Sequence, residues 1–138
     1  MSAKSFLGDY GLRIVTEQAV TGTTVTATGV NLDSIGNSFP AYGVCRITTA
    51  FVDGTGTANC DIDFQASPVA DTTGYASAGS LLNADMNSYA VGDVIAVPLT
   101  GIVGPYWRVV LTPGSAGAYS AGKLNASISP VVGYTDNE

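Results

Sequence analysis

The chain has 138 residues, 11 acidic and 5 basic side chains, a net charge of −6 and no histidine. That balance excludes the clustered cations a nucleic-acid binder needs, and it removes the commonest general base and transition-metal ligand. Charged residues make up only 12%, about half the usual share, while Gly, Ala, Ser and Thr supply 61 of the 138 positions. A surface covered by hydroxyls, backbone and small apolar groups suits close contact with other protein. The length argues for a single domain spanning 1–138, with termini of about 1–10 and 133–138 expected to be flexible or bound to a partner.

Taken in chain order, Met1 to Gly11 holds no long apolar stretch, so a soluble chain not exported by the standard route is expected. Arg13 to Val20 is ambiguous but leans towards strand, and the β-branched run Thr23 to Thr28 reads as strand on propensity. Val44 to Phe51 alternates, with Cys45, Ile47, Thr49 and Phe51 on one face. Cys60 to Gln65 alternates too, setting Cys60, Ile62 and Phe64 against Asp61, Asp63 and Gln65. The turn Asp53-Gly54-Thr55-Gly56-Thr57 between them reads as a hairpin, placing Cys60 opposite Phe51 and Cys45 opposite Ala66. In that register the cysteines stand roughly 20 Å apart, too far for a disulfide, and both are expected to be reduced apolar fillers.

Leu81 to Met86 is the one stretch with the makings of a helical turn. Val91 to Leu99 reads as strand, and Tyr106 to Leu111 as a strand offering Trp107, Val109 and Leu111 to the core, ended by the turn Pro113-Gly114. Gly122 to Val132 alternates again. The stretch Val94 to Tyr106 is broken by Pro98, Gly101, Gly104 and Pro105, so it cannot span a membrane. Turn signals every 8 to 15 residues give the expected fold class: all-β, a single-domain antiparallel β-sandwich of jelly-roll type.

Chemistry is sparse. Asp53, Asp61 and Asp63 flank a glycine-rich turn, but the alternating oxygen ligands and distal glutamate of a calcium loop are missing. Two separated cysteines without histidine give no four-ligand zinc set. Asp61 and Asp63 lie about 7 Å apart on one strand face, within the range of glycosidase pairs. Alternation predicts that face to be wet, with Asp63 diagonal to Arg46. No triad base exists, and Asn125-Ala126-Ser127 matches a glycosylation sequon by chance. Hence no catalytic residue, metal or cofactor is expected. Tyr106-Trp107-Arg108 is the most distinctive local feature, with Trp107 read as core and its two neighbours as interface residues. The interface candidates are Tyr106, Arg108, Arg46, Tyr42, Tyr75 and Tyr89, together with the loops Asn31 to Tyr42 and Ser67 to Leu82.

From about residue 6 to 133 the order of segments resembles the jelly-roll cement, or decoration, proteins of tailed bacteriophage capsids, especially those of short-tailed phages. The resemblance rests on Glu17-Gln18-Ala19-Val20-Thr21 before the threonine-rich strand, the Arg46 to Phe51 strand, and the strand ending in Gln65-Ala66-Ser67-Pro68. It continues through a Ser/Ala/Gly stretch to Leu82, Asp93 to Leu99, Tyr106-Trp107-Arg108, and the closing Gly122 to Ile128. Ile102-Val103-Gly104-Pro105 departs from it by carrying no charge. The resemblance implies a non-enzymatic protein on the outer surface of the virion, made in the host cytoplasm. Its partner would be the major capsid protein, bound as a homotrimer over threefold positions; neither nucleic acid nor membrane would be a partner. The competing expectation is a carbohydrate- or receptor-binding module using Tyr75, Tyr89 and Tyr106 as stacking platforms.

Overall fold

The computed structural model describes residues 13–20, 25–26, 29–31, 41–53, 59–100, 105–114 and 119–129. Within them the chain is all-β. The strands are β1 (Arg13–Ala19), β2 (Val25–Thr26), β3 (Val30–Asn31), β4 (Ala41–Asp53), β5 (Cys60–Ser67), β6 (Ala76–Ala84), β7 (Val94–Leu99), β8 (Tyr106–Pro113) and β9 (Tyr119–Ser129). A three-residue 3₁₀ turn, Met86–Ser88, joins β6 to β7. All pairings are antiparallel. The first sheet runs β1-β9-β4-β7 and the second β2-β8-β5-β6, with β3 also pairing to β8. β2 meets Leu111 and Val110 while β3 meets Trp107 and Tyr106, so the two short strands share one edge of β8.

Period-two patterning explains why these segments close on one core. In β5 the residues Cys60, Ile62, Phe64 and Ala66 are buried, and in β8 Trp107, Val109, Leu111 and Pro113 are, each alternating with half-buried neighbours. The first sheet contributes Cys45, Ile47, Phe51, Ile95, Val97, Leu124, Ala126 and Ile128 to the same cluster. Each fully buried large side chain contributes about 1.5–3 kcal/mol relative to exposure. Along one side the sheets are tied by a backbone hydrogen bond in which Thr100 N–H donates to the Ala78 carbonyl at 2.8 Å.

Several expectations need correction. β4 and β5 are not a hairpin. They belong to different sheets, β4 pairing with β7 and β9, β5 with β6 and β8. Cys45 therefore lies opposite Ala126 and Ile95, and Cys60 opposite Ala84 and Pro113. The same separation removes the diagonal between Asp63 and Arg46. Residues 81–84 are strand, and among the described residues the helical turn of this stretch begins at Met86. Val91 and Gly92 form a turn, so that strand starts at Val94, and Ser67 to Leu82 is no simple loop because β6 fills its second half. Of Thr23 to Thr28 only Val25–Thr26 is described, as strand; the Asn31 to Tyr42 loop and both termini lie largely outside the described residues.

Both cysteines are free and buried. Burial, first of all, pushes each thiol up to about 12 from an ordinary 9.0. The neighbouring Cys60 adds to the rise at Cys45, and at Cys60 Asp61 adds while a backbone hydrogen bond with Thr112 opposes. Burial likewise carries the Tyr119 phenol to about 12. An acid whose pKa is raised by folding leaves stability intact below its unfolded value, then takes it away as pH climbs towards the folded one. Unfolding free energy is thus expected to hold steady up to about pH 9 and then fall. The loss should be on the order of 2 kcal/mol per thiol by about pH 10.5. Urea titrations against pH, with Cys45→Ala/Cys60→Ala showing a shallower fall, test this; a wild-type profile flat to pH 11 would contradict it.

Candidate functional site

Three of the six interface candidates come together. Alternation turns Tyr106 and Arg108 to the outer face of the second sheet, because Trp107 between them faces inward. Register places Gln65 of β5 opposite Arg108 and Ser67 opposite Tyr106. Tyr75 arrives from the segment between β5 and β6, where the Arg108 guanidinium carbon sits 4.1 Å from the centre of its ring. Such a cation–π contact is worth about 0.5–1 kcal/mol at an exposed site.

Ser67 organises the segment that carries Tyr75. It is fully buried, its hydroxyl donates to the Thr73 carbonyl, and it accepts from the backbone N–H groups of Val69 at 3.2 Å and Ala70 at 3.4 Å. Gly74 holds φ +79°, a left-handed conformation, and a Cβ there would press on Val69 and the Ser67 hydroxyl. Glycine is the residue that permits this turn. Tyr75 then donates its hydroxyl to the Asp71 carbonyl at 3.2 Å. Burial raises the Tyr75 pKa above its ordinary value; Arg108 opposes the rise, and Asp71 and Tyr106 add to it.

A row of polar groups continues across the sheet. Arg108 Nε donates to Gln65 Oε1 at 2.7 Å, Gln65 Nε2 donates to Asp63 Oδ2 at 2.7 Å, and Ser77 Oγ donates to Asp63 Oδ1 at 2.6 Å. Both Asp63 oxygens are thus held by neutral donors, and Gln65 stands between carboxylate and guanidinium. Asp61 is occupied separately, accepting from the backbone N–H of Asn83 at 2.8 Å. The two aspartates share the outer face, as their alternation predicts, and each serves the β5–β6 pairing. Sequence reading missed Gln65, and held Ser67 and Ser77 only as part of the Ser67 to Leu82 stretch. Gln65 was visible on the polar face of its strand, but its link to Arg108 depends on the β5–β8 pairing.

The other candidates lie elsewhere. Tyr42 and Arg46 are on β4 in the first sheet, opposite Pro98 and Ser129, and Val94 and Asn125, respectively. Tyr89 follows the 3₁₀ turn and packs partly buried against the core. It follows the end of β6 opposite to the one that Tyr75 precedes. Trp107 is fully buried. Among the described residues no three His, Cys, Asp or Glu side chains gather to hold a metal ion, and no helix is long and apolar enough to cross a membrane. The cluster offers recognition chemistry: a guanidinium, a phenol and a carboxamide on paired strands, with a second phenol from the segment just before β6. No protein-family model matches the sequence, and no curated protein matches it.

Proposed function

We propose that this chain is a capsid cement, or decoration, protein of jelly-roll fold, binding the outside of an assembled phage shell as a homotrimer and tying neighbouring capsomers together. The strand order carries the reading. With β2 and β3 counted as one strand position, the sheets read β1-β9-β4-β7 and β2/β3-β8-β5-β6. Chain neighbours β4 and β5 fall in opposite sheets, as do β6 and β7, and β8 and β9, which is how two interlocked Greek keys run. Eight positions in two such sheets suit the jelly roll of viral capsid and lectin domains.

Fold alone does not select between those uses; the outer face favours a protein partner. Arginine and tyrosine are the side chains enriched in protein interfaces, and here they sit on paired strands, so little must be ordered on binding. A sugar-binding platform would need exposed ring faces side by side. Instead Arg108 covers one face of Tyr75, and Tyr89 is packed against the core at the other end of β6. On this reading the protein acts by contact area, not by catalysis, on the virion's outer surface with the major capsid protein as partner.

Mixing the purified protein with shells assembled from the major capsid protein of the same virus tests this. Co-sedimentation and cryo-EM density outside the shell at threefold positions are expected, and light scattering should give three times the 14.0 kDa subunit mass. Density inside the shell or on the tail, or no binding, would overturn it. Glycan binding abolished by Tyr75→Ala or Tyr106→Ala would favour the carbohydrate module.

A further inference from the structure

We propose that the outer edge of the Arg108 guanidinium, its Nη1 and Nη2 groups, is a docking point for a single carboxylate side chain of a protein partner. The idea deepens the proposed function and rests on it only for the partner's identity as capsid protein.

The geometry around Arg108 is that of an arginine held ready. Its Nε–H is directed to Gln65 Oε1, and its plane is fixed by the Tyr75 ring. Gln65 cannot turn its amide over, because its Nε2 is committed to Asp63. Tyr75 is itself anchored through Asp71. A guanidinium carries five N–H donors, and this network uses one. Among the described residues no acceptor meets the four on Nη1 and Nη2. Asp63, the nearest acid on the sheet face, has both oxygens filled by Gln65 and Ser77.

What remains is a planar fork, restrained at one nitrogen and one face, whose two outer nitrogens match the two oxygens of a carboxylate. Because the side chain is already ordered, closing the pair forfeits little rotamer entropy. The charge pattern selects the ligand class. One cation beside Asp63 and Asp71, in a chain of net charge −6, repels a polyanion and does not provide the clustered positive charge that a phosphate backbone requires. A lone carboxylate on a protein surface suffers least from those neighbours. Arg46 provides the internal comparison: it too is an outer-face arginine, but no hydrogen bond or aromatic stack among the described residues holds it.

Two measurements on the full-length protein decide the matter. In the first, the side-chain N–H signals of Arg108 and Arg46 are followed by NMR during titration with N-acetylglutamate amide, with glutaramide and inorganic phosphate as comparison probes. A saturating shift is expected at Arg108 and the Gln65 amide, several-fold larger than at Arg46, produced by the carboxylate and not by glutaramide. Tyr75→Leu should weaken it while leaving the folded spectrum in place. Equal responses at the two arginines, or a stronger response to phosphate, would overturn the proposal. In the second, Arg108→Lys, which keeps the charge and loses the fork, should bind shells at least about tenfold more weakly than wild type. Wild-type and Arg108→Lys proteins binding shells equally would overturn the arginine site and leave the cement reading standing. A wild type that fails to bind shells would sink the cement reading, and the NMR titration would then decide the arginine site alone.

Discussion

Trp107→Ala is expected to lower the unfolding free energy by about 3–5 kcal/mol, the range for removing a buried aromatic side chain. Trp107 is the chain's one tryptophan, the largest of the fully buried side chains, and sits on β8 between Val30 and Ala66 in the middle of the second sheet. Its indole Nε1–H is buried without a hydrogen-bond partner. That adds a second, opposing effect. A buried donor left unsatisfied costs about 1–3 kcal/mol, so a ring lacking the donor recovers part of what its smaller volume loses. Trp107→Phe should therefore cost only about 1–2 kcal/mol, well below the alanine variant. Urea unfolding followed by far-UV circular dichroism compares the two, since fluorescence disappears with the tryptophan. Equal costs for both variants would mean that the N–H contributes a hydrogen bond in the folded protein.

Trp107 also marks what was legible. Alternation in Tyr106-Trp107-Arg108-Val109 states which side chains share a face, and the burial of β5 and β8 follows that statement residue by residue. It does not state which sheet a strand joins. The glycine-rich Asp53 to Thr57 stretch between two alternating segments looks like a hairpin turn, yet a short connection serves equally well to cross from one sheet to the other. Everything that depended on that register failed with it: the Cys60–Phe51 and Cys45–Ala66 pairings, the wide separation of the two cysteines, which instead influence one another across the core, and the Asp63–Arg46 diagonal.

The Arg108 cluster was half visible for the same reason. Tyr106 and Arg108 stand out in the sequence as neighbours of Trp107, but Gln65 is 43 residues from Arg108 and meets it only because β5 pairs with β8. Leu81 to Ala84 shows a different limit. Register shifts along β5–β6 break the period-two burial of β6, and Asn83 takes a positive φ of 58°. An irregular Leu-Leu-Asn-Ala run therefore carries no strand signature, and helix propensity alone spoke for it.

The sharpest test of how the two sheets meet is a sign. Gly43 on β4 faces Phe64 on β5, and a Cβ built at Gly43 would fall against the Phe64 ring. The absence of a side chain on the first sheet is thus matched by an aromatic ring from the second, fully buried in the shared core. Were Gly43 an ordinary strand glycine, Gly43→Ala would stabilise by about 0.5–1 kcal/mol, because glycine loses the most backbone freedom on folding. With the ring seated there, overpacking dominates, and Gly43→Ala should destabilise by about 1–3 kcal/mol. Phe64→Ala should cost about 3–5 kcal/mol by emptying the same space. Together with Gly43→Ala it should cost less than the two single changes added, since the new methyl fills part of the cavity; a coupling of at least about 0.5 kcal/mol is expected for residues in contact. Denaturant unfolding of the four proteins completes the cycle. A stabilising Gly43→Ala, or strict additivity, would mean that the sheets do not pack with Phe64 over Gly43, and the strand facing inferred for β4 and β5 would fall with that contact.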